Sequence, residues 1–396
     1  MLTSRLIDRQ IKQKLVRLAA QYPIISLTGP RQSGKSTLVR SLFSDLPYVL
    51  LEDPDVRALA EQDPRGFLAN YPNGAIFDEV QRVPDLFSYL QGIVDQGNQQ
   101  QPYILTGSQN FLLMEGISQS LAGRAAVLRL LPFNYAELQA AEAVPTSLET
   151  LLWQGSYPRL ITRQLNPGDF YPAYIQTYLE RDVRSLKNIS DPGSFARFLR
   201  LCAGRAGNLL NLSSLANDCG ISVNTAKSWL SVLEASYVVY LLEPFHENYN
   251  KRIVKSPKLF FYDTGLVCAL LGLRRADLVE TYYMRGSLFE NWVVSEVVKH
   301  FYNRGQTAPI YFWQDKTGRE VDLLIEQNGS LLPIEIKAGQ TLNLAYFDQL
   351  TYWNKLSGNP VGNSYVVYGG TVQQETSAGT FVPVSGLAAL LGMSIT

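Results

Sequence analysis

Residues 24–37 read Ile-Ile-Ser-Leu-Thr-Gly-Pro-Arg-Gln-Ser-Gly-Lys-Ser-Thr, an apolar run that passes directly into a glycine-bounded loop ending in lysine and two hydroxyls. Gly29, Gly34, Lys35 and Ser36 fit the spacing G-x-x-x-x-G-K-[ST], and the apolar run supplies the strand that a phosphate-binding loop must follow. Such a loop, here Gly29, Pro30, Arg31, Gln32, Ser33 and Gly34, wraps a polyphosphate with backbone N–H groups. Glycine is needed where a Cβ would block close approach or where the chain turns sharply. Lys35 then reaches the β- and γ-phosphates, and Ser36 offers a hydroxyl to Mg²⁺. Thr37 follows at the start of a helix whose positive end faces the same anions. A glycine-rich turn with a solvated lysine is the competing reading; the preceding strand favours ATP and Mg²⁺ as ligands.

The chain has 396 residues, too many for one ordinary core, so two or three domains are expected. Hydrophobic residues make up 46% and charged ones 18%, which excludes wholesale disorder. Thirty-five basic residues balance 35 acidic ones, so any nucleic-acid binding must come from a local patch. Cys202, Cys219 and Cys268 are widely spaced without a C-x-x-C, as expected of buried small hydrophobes in a reducing compartment. Met1 leads into no apolar signal core, and no segment approaches ~18 consecutive apolar residues, so a cytoplasmic protein without membrane contact is expected. His246 and His300 are the two histidines, each expected at the surface or a helix cap. Acid–base chemistry therefore falls to carboxylates, lysine and metal-bound water.

Outward from the loop, residues 5–20 carry apolar positions at helical spacing and predict a leading amphipathic helix. Strand candidates at 24–27, 48–51, 75–77, 103–105 and 126–131 alternate with helical patterns, which predicts a parallel sheet covered on both faces. Pro132 and a helical pattern from Tyr135 close this first domain, 1–135; a helical lid is expected over 136–206. In 207–260 a short helix, a glycine turn and a helix beginning at Ser222 precede a β-branched and aromatic run at 237–242, which reads as a winged helix. The connection 247–258 is polar and basic. Residues 261–396 alternate helix and strand and predict a second, mixed α/β domain.

Ala75-Ile-Phe-Asp78-Glu79 is an apolar strand ending in two acids, 43 positions after Lys35. Asp78 would hold Mg²⁺ through water, and Glu79 would polarise the attacking water. Read alone it is a strand ending in a solvated turn; downstream of a phosphate loop it reads as an ATPase. Tyr103-Ile-Leu-Thr-Gly-Ser-Gln-Asn is a further strand whose carboxyl end offers Thr106, Ser108 or Gln109 to the γ-phosphate, although Gln109 and Asn110 can equally begin a helix. Arg124, just before the last strand, is either a surface arginine or a finger for a neighbouring subunit's phosphates in a homo-oligomer. Arg159, Arg181 and Arg184 are either lid contacts to nucleotide or solvated helix charges.

These motifs, with Leu121-Ala-Gly-Arg124, Gly155-Ser-Tyr-Pro158 and Lys258-Leu-Phe-Phe-Tyr-Asp263-Thr-Gly-Leu266, resemble prokaryotic AAA-type P-loop ATPases that carry a C-terminal domain of uncharacterised function. The resemblance covers nearly the whole chain. It implies a sheet with an extra strand between the two nucleotide motifs, and Glu79 as the catalytic base. The family pattern has a second glycine where Ser156 stands here, which puts that turn in question.

On the second helix of the winged-helix stretch, Ser222, Asn224, Thr225, Lys227 and Ser228 are polar and can face DNA. Residues 200–260 hold seven Lys/Arg against four Asp/Glu, a thin excess for a DNA reader, and winged helices also serve as lids and protein contacts. In the last domain, Gly-Arg-Glu-Val-Asp322 is followed by Pro-Ile-Glu335-Ile-Lys337. Residues two apart share a strand face, so Glu335 and Lys337 project together and Asp322 on the adjoining strand can meet them. Two carboxylates suit Mg²⁺ or Mn²⁺, Lys337 would stand beside the activated water, and Glu290 on the preceding helix is a third acid. This order resembles the restriction-endonuclease-like PD-(D/E)xK fold. Glu-x-Lys is also common on solvated strand faces, where an opposing acid simply pairs with lysine. The expectation is an ATPase whose hydrolysis controls a nucleic-acid-binding, metal-dependent nuclease half; the alternative is a nucleotide-dependent switch acting on a protein partner through a non-cleaving module.

Overall fold

The computed structural model describes residues 6–97, 101–108, 117, 120–183, 191–245, 254–327 and 329–393. Each apolar run of the N-terminal third becomes a strand: β1 Ile24–Thr28, β2 Tyr48–Leu50, β3 Ile76–Asp78, β4 Tyr103–Gly107 and β5 Ala125–Arg129. All pair in parallel in the order β2-β3-β4-β1-β5. The runs are nearly continuous in sequence because both sheet faces are covered, as in parallel sheets generally. One face packs Ile25, Leu27 and Ile104 against Leu15 of α1 (Lys12–Ala19) and Leu38 and Val39 of α2 (Lys35–Leu42). The other packs Phe77 and Leu105 against Phe67 of α3 (Pro64–Ala69) and Phe87 and Leu90 of α4 (Leu86–Asp95). Strand β4 lies between β1 and β3, so one strand separates the phosphate-loop strand from the strand ending in Asp78, as the resemblance implies.

The leading helix is shorter than its periodicity predicts. Helix α1 begins at Lys12; residues 6–9 are not helical, and Arg9 is buried instead. Its guanidinium bonds the Leu131 carbonyl at 2.6 Å, the Ser33 carbonyl at 2.9 Å and the Glu137 carboxylate at 3.1 Å. Three bonds to elements distant in sequence outweigh a local helical turn.

After β5 the chain is helical: α5 Tyr135–Ala140, α6 Leu148–Gln154, α7 Pro158–Thr162, α8 Pro167–Tyr174, then a π-helical stretch Ile175–Val183 and α9 Pro192–Ala203. A capping box between Asn134 and Glu137 starts α5. Strand β6 (Asn208–Leu209) leads to α10 (Leu212–Cys219) and α11 (Val223–Ala235), the latter capped by the Ser222 hydroxyl, and then to β7 (Val239–Leu242) and β8 (Lys258–Phe261). The three strands form an antiparallel sheet ordered β6-β8-β7. Lys258, expected in a polar connection, is the first residue of β8 and is only 4% exposed.

Helix α12 (Thr264–Leu270) packs back on α6 and α8. Helix α13 (Arg285–Asn303) then precedes β9 (Ile310–Gln314), β10 (Glu320–Gln327) and β11 (Ser330–Lys337), an antiparallel meander, followed by α14 (Asp348–Ser357) and β12 (Tyr365–Tyr368), which is parallel to β11. With β13 (Gln374–Thr376) and β14 (Gly379–Pro383) these make a mixed sheet, β13-β14-β12-β11-β10-β9. One buried core, including Leu160, Phe198, Leu233, Phe260, Val294 and Ile334, runs through the helical segment, the three-stranded sheet and α13. Cys202, Cys219 and Cys268 are buried free thiols, as expected. His300, expected at the surface or a cap, sits in the last turn of α13 but is buried; burial, helped by Arg304, pushes its pKa down to about 3, so the ring packs as a neutral group. His246 lies outside the described residues. Among the described residues no helix is long and apolar enough to cross a membrane.

Candidate functional site

Strand β1 delivers the chain to the phosphate loop, and Gly29 is required there: its φ is +150°, and a Cβ would lie 2.1 Å from the Leu130 carbonyl oxygen. Gly34, at φ +92°, turns the chain into α2. Lys35 is 6% exposed and folds back over the loop, its ammonium bonding the carbonyls of Gly29 at 2.8 Å and Pro30 at 2.9 Å. Burial lowers its pKa to about 8, while the charges of Glu79 and Asp78 oppose that shift. The Ser33 hydroxyl is buried without a partner, an orphan in a loop built of donors.

Asp78 ends β3 and is 3% exposed. Its Oδ2 accepts from the Ser36 hydroxyl at 2.6 Å and from the Tyr48 hydroxyl at 2.5 Å. Its Oδ1 accepts from the Thr106 hydroxyl and, at 3.1 Å, from the Glu79 N–H. The two side chains read as Mg²⁺ ligands are therefore in direct contact, and a hydroxyl beside a carboxylate is an all-oxygen set that suits this hard cation. Glu79 has a left-handed backbone, φ 56°, which a non-glycine residue adopts only where surroundings hold it. Its Oε2 accepts from Ser108 at 3.1 Å and from the Gln81 amide. Strand β4 thus brings Thr106 to one acid and Ser108 to the other. Tyr48 was not apparent from the sequence, since a tyrosine at the start of a short strand carries no motif.

A cavity of about 660 Å³ opens over this constellation, of the size that small-molecule sites have. Arg31, Gln32, Gly34, Lys35, Ser36 and Thr37 line it with Glu79. Residues 6–9 and Phe133 form one wall, and Pro158 and Arg159 of α7, with Arg163 just past its end, another. Arg31 reaches Glu52 at 3.6 Å and lies 5.7 Å from the Tyr178 ring centre on the π-helical stretch. Gln109, Asn110 and Arg184, and the side chain of Arg181, lie outside the described residues. Arg124 is held by Asp95 through bonds of 2.6 and 2.9 Å at the amino end of β5, whereas the phosphate loop leaves the carboxyl end of β1, which runs parallel beside it. It does not reach this chain's own site.

Ser156, the departure from the family pattern, is well integrated. Its N–H and hydroxyl donate to Asp263 at 2.8 and 3.3 Å, and the Lys299 ammonium bonds its oxygen at 3.0 Å. Asp263 also accepts from Tyr171 at 2.6 Å and caps α12 through the Leu266 N–H at 3.0 Å. The motifs at 155–158 and 258–266 therefore meet: the second anchors the turn at 155–157 that continues into cavity-lining Pro158 and Arg159.

On α11 the Ser222 hydroxyl accepts from the Thr225 N–H at 3.0 Å, so it serves as the cap; Asn224 and Lys227 are exposed, and Thr225 and Ser228 are partly covered.

The C-terminal acids also meet. Carboxylate oxygens of Glu290 on α13 and of Glu320 and Asp322 on β10 lie within 4.8 Å of one another. Asp322 accepts from the Ile336 N–H at 2.8 Å. Glu335 on β11 pairs with Lys337 at 2.5 Å, while its Oε2 is buried without a partner. Burial and then the Asp322 charge push the Glu335 carboxyl up to about 8; burial also raises Glu290 to about 8, against the pull of Lys258. Lys337 is held above its usual value by Asp322 and Glu335, although burial opposes it. The cluster contains two groups the sequence reading missed. Glu320 stands two residues before Asp322, and that same-face spacing was a usable signal. Lys258 enters from β8 with Nζ 2.8 Å from Glu290 and also bonded to Glu320, a contact with no local signature. The carboxylates of Glu290, Glu320 and Asp322 make an all-oxygen donor set that suits Mg²⁺ or Mn²⁺; Glu335, expected as a ligand with Glu290 and Asp322, is not one of these three, and Glu320 stands in its place.

Residues 21–139 match the AAA domain family; residues 145–277 and 285–387 match two domains of unknown function, DUF8612 and DUF4143. Uncharacterized proteins of Mycobacterium tuberculosis and Mycobacterium bovis are each 29% identical over 340 residues, 85% of this chain and 75% of theirs. Among solved structures, the Walker-type ATPase PABY2304 of Pyrococcus abyssi is 17% identical with a TM-score of 0.45, covering 67% of this chain and 96% of that one. A STAND protein with a tetratricopeptide repeat sensor from Pyrococcus horikoshii is 9% identical with a TM-score of 0.24, over 75% of this chain and 47% of that one.

Proposed function

We propose that this chain, which carries an AAA-type P-loop ATPase domain, hydrolyses ATP at the cavity between α2 and α7, with Lys35, Ser36, Asp78, Glu79 and Ser108 as its working residues. The observation that carries the reading is the 2.6 Å bond between Ser36 and Asp78, with Glu79 next to it and pointing at Ser108. Loop N–H groups and Lys35 would bind the β- and γ-phosphates, with the Ser33 hydroxyl free to donate. Mg²⁺ held by Ser36 and Asp78 would supply charge neutralisation at the phosphate oxygens. Glu79 would orient the attacking water and accept its proton, with Ser108 fixing the carboxylate. Arg159 of the lid would meet the nucleotide from the opposite wall. Arg124, facing away from its own site, would act on the site of a second copy in a homo-oligomer. Lys35→Ala and Asp78→Asn are expected to abolish turnover in a phosphate-release assay; undiminished release in either would remove that residue from the site.

The remaining chain reads as a helical lid over 136–206, a winged helix over 207–260 and a PD-(D/E)xK nuclease-like module over 261–396. The helix, strand, two helices and hairpin of α9 to β8, with β8 central, support the winged helix. The succession α13, β9, β10, β11, α14, β12 supports the nuclease-like fold, with Glu290, Asp322 and Glu335 as metal ligands and Lys337 beside them. DNA is the partner this reading favours, and purified protein with Mn²⁺ is expected to nick plasmid DNA in a manner lost in Asp322→Ala and Lys337→Ala. Intact plasmid, linear and branched DNA, with or without ATP, would reject cleavage. A non-cleaving module acting on DNA or a protein is the second reading, favoured by one observation, the Lys258 ammonium among the acids.

A further inference from the structure

Lys258 belongs to a different sheet from the acids it touches. Its backbone pairs with Leu209 and Leu242 in the three-stranded sheet, while Glu320 and Asp322 lie on β10 of the mixed sheet. Its side chain is 4% exposed, with Nζ 2.8 Å from Glu290, bonded to Glu320, and 5.6 Å from the Phe312 ring centre. The strand that carries it is bolted in place: the Asn291 side chain, next to Glu290 on α13, accepts from the Phe261 N–H at 2.7 Å and donates to the Phe261 carbonyl at 2.9 Å. A divalent ion ligated by carboxylates sits about 2.0–2.6 Å from their oxygens, close to where this ammonium stands. Two cations cannot share that position without strong repulsion.

We propose that Lys258 is a resident counter-cation that closes the carboxylate cluster of Glu290, Glu320 and Asp322 to divalent metal, so the C-terminal site opens only when this ammonium leaves. The proposal rests on the reading of that cluster as a metal site. It makes β8, which continues directly to Asp263 and the lid turn at Ser156, the element that sets the state of the acids. Departure of one positive charge would leave the cluster with excess negative charge, which is what a divalent ion then neutralises.

The test is Mn²⁺ binding by full-length protein, followed by electron paramagnetic resonance of the free ion. Asp78→Asn is the common background, so that cation binding at the nucleotide site is weakened equally in every variant compared. Lys258→Met is expected to bind Mn²⁺ at least tenfold more tightly than the parent, and adding Asp322→Asn is expected to reverse the gain. Lys258→Arg, which keeps the charge, is expected to behave as the parent. Equal Mn²⁺ affinity in folded Lys258→Met and the parent, or equal gains in the Met and Arg variants, overturns the proposal. A gain in Lys258→Met that survives Asp322→Asn overturns the metal-site reading itself. Should Lys258→Met not fold, amine acylation of the Asp78→Asn parent read by mass spectrometry decides. Without metal, Lys258 is expected to be protected relative to exposed Lys227, and excess Mn²⁺ is expected to relieve that protection. Acylation of Lys258 as fast as Lys227 without metal, or protection unchanged while Mn²⁺ is bound, contradicts it. Binding rather than cleavage is measured, so the result stands apart from whether the module cuts.

Discussion

Lys35 and Glu79 show how a few side chains are prepared by their surroundings. Burial leaves Lys35 with a pKa of about 8 in the free protein, whereas a bound triphosphate requires the ammonium form. Binding is therefore linked to proton uptake above pH 8, and ATP affinity is predicted to fall ~10-fold between pH 7 and pH 9. Titrations by calorimetry at the two values check this; an unchanged affinity would mean that the lysine stays charged throughout. Glu79 and Asp78 were legible because two acids at the end of an apolar strand, downstream of a phosphate loop, have a chemical reason to be there. Arg9, Tyr48 and Lys258 were not, since each acts on groups far away in sequence and nothing in its own neighbourhood marks it.

Gly155 links the turn after α6 to α12 at the level of elements. Its φ is +65°, and a Cβ there would lie 2.0 Å from the Tyr171 hydroxyl and 2.5 Å from Asp263. Gly155→Ala is predicted to destabilise the chain by about 2–4 kcal/mol, from backbone strain together with loss of the Asp263 bonds. A fall in the thermal midpoint checks it, and an unshifted midpoint would mean that the turn relaxes freely. Strands were the most legible elements, because a sheet buried on both faces writes itself as uninterrupted apolar runs such as 24–27 and 103–105. The N-terminal helix was overread, since the apolar spacing of residues 6–11 also serves a non-helical segment pinned by Arg9. The left-handed Tyr237, whose hydroxyl meets Thr28 at 2.6 Å, had no sequence signal, yet it joins the end of β1 to the turn before β7.

The whole molecule divides along a seam between the parallel sheet and everything after it. The helical segment 135–203, the three-stranded sheet and α13 share one core, so moving the helical segment independently of them would open buried apolar surface. Arg9 spans the seam, joining the phosphate loop at Ser33 to Glu137 at the start of the helical segment, and both partners are almost fully buried. Arg9→Met leaves the Glu137 charge without its partner and is predicted to cost about 3–5 kcal/mol, seen as a lower urea midpoint. An unchanged midpoint would show that water replaces the arginine. The proposed action of Arg124 on a second copy predicts turnover per chain that rises with protein concentration and is lost in Arg124→Ala; concentration-independent turnover equal in both proteins would reject it. Hydrolysis of ATP with Glu79 as the base remains the centre of the account, and single-turnover hydrolysis by Glu79→Gln, with ATP binding measured alongside, tests it most directly. The predicted result is binding within about threefold of wild type and hydrolysis slowed at least ~100-fold; hydrolysis at the wild-type rate would contradict it.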